Sequence, residues 1–227
     1  MTDKTRINVD IVSDVMCPWC YVGQKRLEKA LDQLPDIDVD IHWRPFQLDP
    51  TLPPEGKDRR QYLAEKFGGD ERAKTIYQTI MDAGVAEGIP FDFEAIEVSP
   101  NTLDAHRLIR WASSAGEGVQ NRLARRLFQL YFEEGANIGD HKVLIGAART
   151  VGMDAAIVES LLATDSDRES VQSEIATASQ MGITGVPCFL IEGKYAVMGA
   201  QESDTLAGAL RQIADAKQNG DVEGVAG

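Results

Sequence analysis

The stretch Cys17-Pro18-Trp19-Cys20 sits where an apolar run hands over to a helical pattern, and this junction constrains the fold more than any other part of the chain. Before it, Ile7, Val9, Ile11 and Val12 read as a buried strand. After it, Val22, Leu27, Ala30, Leu31 and Leu34 recur at helical spacing. Both cysteines therefore fall in the first turn of a helix, where amide N–H groups lack intrahelical partners and the helix dipole is positive, which favours a thiolate on Cys17. Cys20 lies one turn on. Residues three apart in a helix hold their Cβ atoms roughly 5–6 Å apart, and a disulfide wants about 3.5–4.5 Å. Closing the bond asks only a small adjustment, so the pair suits cycling between dithiol and disulfide. Pro18 suits a helix start because its missing N–H is not needed there.

The rest of the chain supplies a setting for this unit. Pro35-Asp36 makes a turn, and Ile37, Val39, Ile41 and Trp43 alternate with polar residues as a second strand, parallel to the first by a crossover. From Lys57 to about Asp165 nearly everything reads as helix. The predicted helices run from Lys57 to Phe67, from Asp70 to Glu87, from an Asn101 or Thr102 cap to Gly116, from Val119 to near Gly135, from an Asp140 cap to Val151, and from Met153 to Ala163. Ser166 and Glu169 read as a capping box for a helix to Met181. An antiparallel hairpin over residues 186–198 and a last helix from Ser203 to Ala216 follow. The tail from Lys217 onward is polar and Gly-rich, and reads as frayed.

Composition narrows the function classes. A formal charge of −13 disfavours nucleic acid and anionic membrane as partners. No apolar run approaches a membrane span of roughly 18 residues, and no secretory signal is visible, so the expected setting is the cytoplasm. Three cysteines are too few for a disulfide scaffold. A zinc site would need two more donors beside the pair, and Cys188, His42, His106 and His141 show no paired spacing.

Strand, helix, strand, a helical insertion, then helix, hairpin and helix is the order of a thioredoxin fold with its crossover expanded. The segments 13–23, Trp43 to Pro50, Asn101 to Arg107, Gly182 to Pro187 and Tyr195 to Gln201 together resemble the DsbA-like thioredoxin-fold family, most closely its FrnE-like branch. The expected fold is α/β, with an all-helical insertion between an N-terminal βαβ unit and a C-terminal αββα unit. Residues 1–56 and 166–217 would form a discontinuous thioredoxin-like domain, 57–165 an insertion subdomain and 218–227 a flexible tail. The resemblance implies a cis Pro187 lying against the thiols as a shaping residue. Val186 would then offer its free N–H and C=O to an extended substrate.

The implied activity is thiol–disulfide exchange. Cys17, the more exposed thiol, attacks a substrate disulfide and Cys20 resolves the mixed disulfide. No cofactor is expected to be bound, with glutathione a candidate co-substrate and a protein or small thiol the partner. Cys188 follows the proline where the family carries a bulky apolar residue or threonine. It reads as a small buried hydrophobe, or more sharply as a third thiol near the pair. Asp14 either relays protons or is a helix cap or solvated group. Trp19 is a substrate platform or packs over the helix start. His106, with Asn101 and Thr102, either lines a substrate groove or is a surface histidine. Arg122, Arg125 and Arg126 read as a solvated face.

Two other functions compete. Glutathione-dependent isomerases of the 2-hydroxychromene-2-carboxylate type and kappa-class transferases are similar along the chain. They carry serine at the position of Cys17 and Gly-Ser-Asp where this chain has Gly199-Ala200-Gln201. A binding or chaperone-like module is the third reading.

Overall fold

A computed structural model describes residues 4–220. Four strands form one sheet in the order β2-β1-β5-β6. Strand β1 (Thr5–Ser13) runs parallel to β2 (Ile37–Pro45), with Ile11 opposite Trp43, and antiparallel to β5 (Cys188–Ile191). Strand β6 (Tyr195–Met198) completes the hairpin. Helix α1 (Pro18–Asp32) makes the β1–β2 crossover, with Val22, Leu27 and Ala30 buried. This is the thioredoxin-type α/β arrangement that the order of elements predicts, with a helical insertion after β2.

The insertion departs from the prediction at its edges. Lys57–Asp58 is a short strand, β3, paired with β4 (Val98–Ser99), and only then does α2 (Arg59–Phe67) begin, capped by the Asp58 carboxylate. Helix α3 (Asp70–Glu87) precedes β4. Helix α4 (Leu103–Ala112) stops short of Gly116, and its start is served by Asn101, whose Oδ1 accepts from Leu103 N at 3.0 Å. Thr102 makes no such bond. Helices α5 (Val119–Phe132), α6 (His141–Thr150, capped by Asp140) and α7 (Ala155–Leu162, capped by Asp154) follow.

The predicted capping box at Ser166 does not form. Helix α8 (Arg168–Gln180) starts from Asp167 in the left-handed conformation, φ 59°, with no side-chain cap. The Asp167 carboxylate is instead held by Trp111 Nε1 at 2.8 Å. Fully buried Arg107 fixes the same junction, donating to the carbonyls of Leu161, Thr164 and Ser166 and to Asp104. Helix α9 (Ser203–Gln218) runs two residues past the predicted end, and residues 221–227 of the tail lie outside the described residues.

One apolar core runs through both parts of the molecule. Ile7, Val9 and Ile11 of β1 and Phe189 and Ile191 of β5 join Leu206 and Leu210 of α9 and Leu123, Leu127 and Phe128 of α5. A separate small cluster of Val12, Ala178, Ile183 and Cys188 packs between the sheet and α8. Odd and even residues of a strand point to opposite faces, which is why Ile11 and Val12 belong to different clusters.

Candidate functional site

The turn before α1 builds the site. Cys17 occupies the N-cap position and its N–H donates to Asp14 O at 2.9 Å. Pro18 takes the first helical position, where no donor is missed. Cys20 lies one turn in, its N–H on Cys17 O at 3.1 Å. All three cysteines are free thiols. Cys17 is 5% exposed and Cys20 1%, so Cys17 is the more open of the two, although both are buried. Burial pushes the Cys20 thiol well above its ordinary value of 9.0, reinforced by its hydrogen bond with Cys17. The backbone of Asp14 contacts the same thiol and pulls the other way.

The opposing wall is Val186–Pro187, whose peptide bond is cis. The Cys17 thiol donates to the Val186 carbonyl at 3.8 Å, so that carbonyl already has a partner within the chain. The Pro187 carbonyl accepts from Gly199 N at 2.8 Å, which fixes the hairpin behind it. Gly23, in α1, permits the approach: a Cβ there would stand 2.9 Å from Pro187 Cγ and 3.3 Å from Phe189 Cζ. A helix-interior glycine costs about 1 kcal/mol relative to alanine, and that was the available sequence signal for a close contact. Trp19 is half-buried against the main core.

Asp14 is neither solvated nor a cap for α1. It is fully buried, with Oδ1 accepting from Met16 N at 3.3 Å and Oδ2 from Leu48 N at 2.8 Å. It thereby ties the thiol turn to the loop after β2. His106 is 3% exposed, so it is not a surface histidine, and its Nε2 stands 3.6 Å from Asp14 Oδ1. Asn101 braces the same loop through Leu52 O at 2.6 Å and Gln47 Nε2 at 3.2 Å.

Cys188 is not brought to the pair. It is wholly buried in the small cluster beneath α8, apart from the core that holds Cys17 and Cys20, and burial alone raises its thiol. The alternation of β5 turns Phe189 toward Gly23 and Cys188 the other way.

A polar group beyond the motif went unread. Buried Arg59 donates to the hydroxyls of Tyr131 (2.8 Å) and Tyr77 (2.9 Å), and lies over the rings of Tyr77, Phe93 and Tyr131. Arg125 and Arg126, predicted as a plain solvated face, pair with Glu28 and Glu134. Among the described residues no group of three or more His, Cys, Asp or Glu is placed to hold a metal ion, and no helix is long and apolar enough to cross a membrane.

A strand–helix junction carrying two thiols, faced by a cis proline that opens a hairpin, defines a thioredoxin-type domain. Residues 8–211 match the model of the DSBA-like thioredoxin domain, and the chain belongs to that family. A probable DsbA oxidoreductase from Streptomyces coelicolor is 30% identical in sequence, with a TM-score of 0.83 over 97% of this chain and 93% of that one. YwbO of Bacillus subtilis, an uncharacterised protein, is 29% identical over 90% of this chain and 96% of its own length. The cytosolic disulfide reductase DsbM of Pseudomonas aeruginosa, solved with GSH, shares the fold at 16% identity and a TM-score of 0.61, covering 92% of this chain and 99% of that one.

Proposed function

We propose that the protein is a thiol–disulfide oxidoreductase in which Cys17 attacks a substrate disulfide and Cys20 resolves the mixed disulfide. The carrying observation is the asymmetry of the pair. Cys17 sits at the helix start beside the wall that an extended substrate would line, whereas Cys20 lies deeper, and burial keeps it protonated. A deep thiol that holds its proton does not compete for the first attack, and it becomes the nucleophile only once Cys17 is tied to the substrate.

In this reading Pro18, Trp19 and Pro187 shape the site. The Val186 carbonyl exchanges its Cys17 thiol for a substrate backbone N–H. Residues 57–165 act as an insertion subdomain over a split thioredoxin unit formed by 1–56 and 166–217. Glutathione as co-substrate and a cytoplasmic setting are supported by the shared fold of the cytosolic reductase solved with GSH, and membership of the FrnE-like branch rests on the resemblance of the sequence segments alone. Substrates are protein or small thiols and disulfides.

The test is reduction of insulin by dithiothreitol, followed as turbidity, with wild type and Cys17→Ser. Wild type accelerates the reaction and the variant returns it to the rate of dithiothreitol alone. A wild-type rate equal to that background overturns the reading. Glutathione-dependent isomerisation that survives Cys17→Ser would favour the isomerase instead, a reading disfavoured by Cys17 itself and by Gly199-Ala200-Gln201.

A further inference from the structure

Resolution of a mixed disulfide releases a proton in a place closed to water. As the Cys20 sulfur attacks, the bond between Cys17 and Cys20 forms and the bond from Cys17 to the substrate sulfur breaks. The substrate leaves as a thiolate with the electron pair of that bond, and the Cys20 proton must go elsewhere. Cys20 is 1% exposed, and the substrate covers the Cys17 side. The Asp14 backbone contacts this sulfur as a donor and so takes no proton from it, but the carboxylate of the same residue is buried in the same turn and can accept one.

We propose that the Asp14 carboxylate takes this proton and that His106 conducts it from Asp14 to a cavity that His106 itself lines, so that proton traffic does not cross the substrate face. The cavity holds about 750 Å³, and His106 forms part of its wall, whereas Cys17, Trp19, Cys20, Val186 and Pro187 do not. His106 Nε2 is buried and has no hydrogen-bond partner among the described residues, although it stands 3.6 Å from Asp14 Oδ1. A buried imidazole nitrogen left unpaired is costly unless something uses it. Closing that gap by about half an ångström gives a hydrogen bond.

The proton moves from Cys20 to Asp14, from Oδ1 to Nε2, and then from the imidazolium to water in the cavity. Both side chains return to their starting charge, and the reverse route serves reduction of the pair. The charged groups facing His106 are Asp14 from the thiol turn, His42 and Arg44 from β2, Arg110 on α4 itself, and Asp167 and Glu174 from α8. Asp154, the α7 cap, completes the wall, and α5 contributes the uncharged Gln120. Arg110 pairs with Asp167 and Glu174, and Arg44 with Asp10, so no single charge dominates the mouth. Arg44 and Arg110 are exposed, which opens the cavity to solvent.

The proposal rests on the oxidoreductase reading, and the test keeps the two apart. Insulin-reduction turnover is measured from about pH 5 to 8 for wild type, His106→Gln and His106→Ala, with and without added imidazole, the fold being checked by circular dichroism. Both variants are expected to lose about tenfold in turnover, a modest share of a general acid–base contribution, together with the pH inflection of wild type. Imidazole entering the cavity restores His106→Ala and leaves wild type unchanged. Variants that match an active wild type in rate and pH profile, or a loss that imidazole fails to restore in folded His106→Ala, overturn the route and leave the enzyme reading intact. If His106→Ala does not fold, the pH profile of His106→Gln decides alone. A wild type without turnover defeats the enzyme reading, and this proposal with it.

Discussion

Cys17 and Cys20 start α1, and Cys188 starts β5 directly after Pro187, so all three thiols stand close to the same proline in sequence or in space. All three are buried, yet their surroundings differ in kind. The pair is surrounded by polar groups: the Val186 carbonyl, the backbone of Asp14 and the open amides of a helix start. Cys188 has Val12, Ala178 and Ile183, with Phe46 and Val186 beside them. Burial alone therefore does not make a thiol reactive or inert. What matters is whether the site offers the sulfur somewhere to send its proton and something to stabilise its charge.

The strongest way to break this comparison is to remove one thiol at a time. Cys20→Ser should abolish turnover and accumulate a mixed disulfide between Cys17 and insulin, seen as an adduct on a non-reducing gel. Cys188→Ala should keep wild-type turnover. If Cys188→Ala also lost activity, the two environments would not be functionally separate.

Gly23→Ala sharpens the comparison from the side of the wall. Its Cβ would meet the Pro187 ring, which cannot swing aside as a flexible side chain can. Overpacking of this kind costs about 1–3 kcal/mol, which outweighs the roughly 1 kcal/mol gained from helix propensity. Urea unfolding should therefore show a net loss, and insulin reduction should slow as the hairpin is pushed off α1.

For Cys188 itself the expected effect is on stability. Cys188→Ser buries a hydroxyl among Val12, Ala178 and Ile183, at a cost of about 1–3 kcal/mol, and Cys188→Ala costs less because it adds no polar group. Equal losses would mean the pocket is wetter than its lining implies.

The smallest effect is on pH dependence. Folding raises the Cys20 and Cys188 thiols above 9.0, so the folded chain holds these protons more tightly than the unfolded one. The resulting stability is fully present below about pH 9 and is lost as pH rises through the raised folded values. Unfolding of the reduced protein at pH 7 and above pH 9 should show this decline, and the decline should shrink in Cys20→Ala and Cys188→Ala.

The strands and the thiol helix were legible because their signals are local. Alternation gave β2, helical spacing gave α1, and the Asp140 cap marked α6. What failed depended on partners far along the chain. Asp14 looked like a cap or a solvated acid because nothing nearby shows that Leu48 N and His106 will close over it. Ser166 and Glu169 matched a capping pattern, but Trp111 claims Asp167 from α4 and turns the helix start another way. Lys57–Asp58 reads as helix because its strand partner, Val98–Ser99, lies across the whole of α2 and α3. Cys188 was legible in part: its reading as a small buried hydrophobe agrees with its place among Val12, Ala178 and Ile183, and only the sharper reading as a third thiol near the pair is lost.

The contact between Cys17 and Val186 also has a meaning in time. The two residues lie 169 positions apart, and at roughly 5–20 residues per second of synthesis the wall follows the thiols by about 10–30 seconds. During that interval the nascent chain carries Cys17 and Cys20 without the carbonyl and proline that later face them. A dithiol left uncovered for so long is open to whatever oxidants and thiols surround the ribosome. The pair therefore meets its surroundings as an ordinary dithiol before its own active site exists.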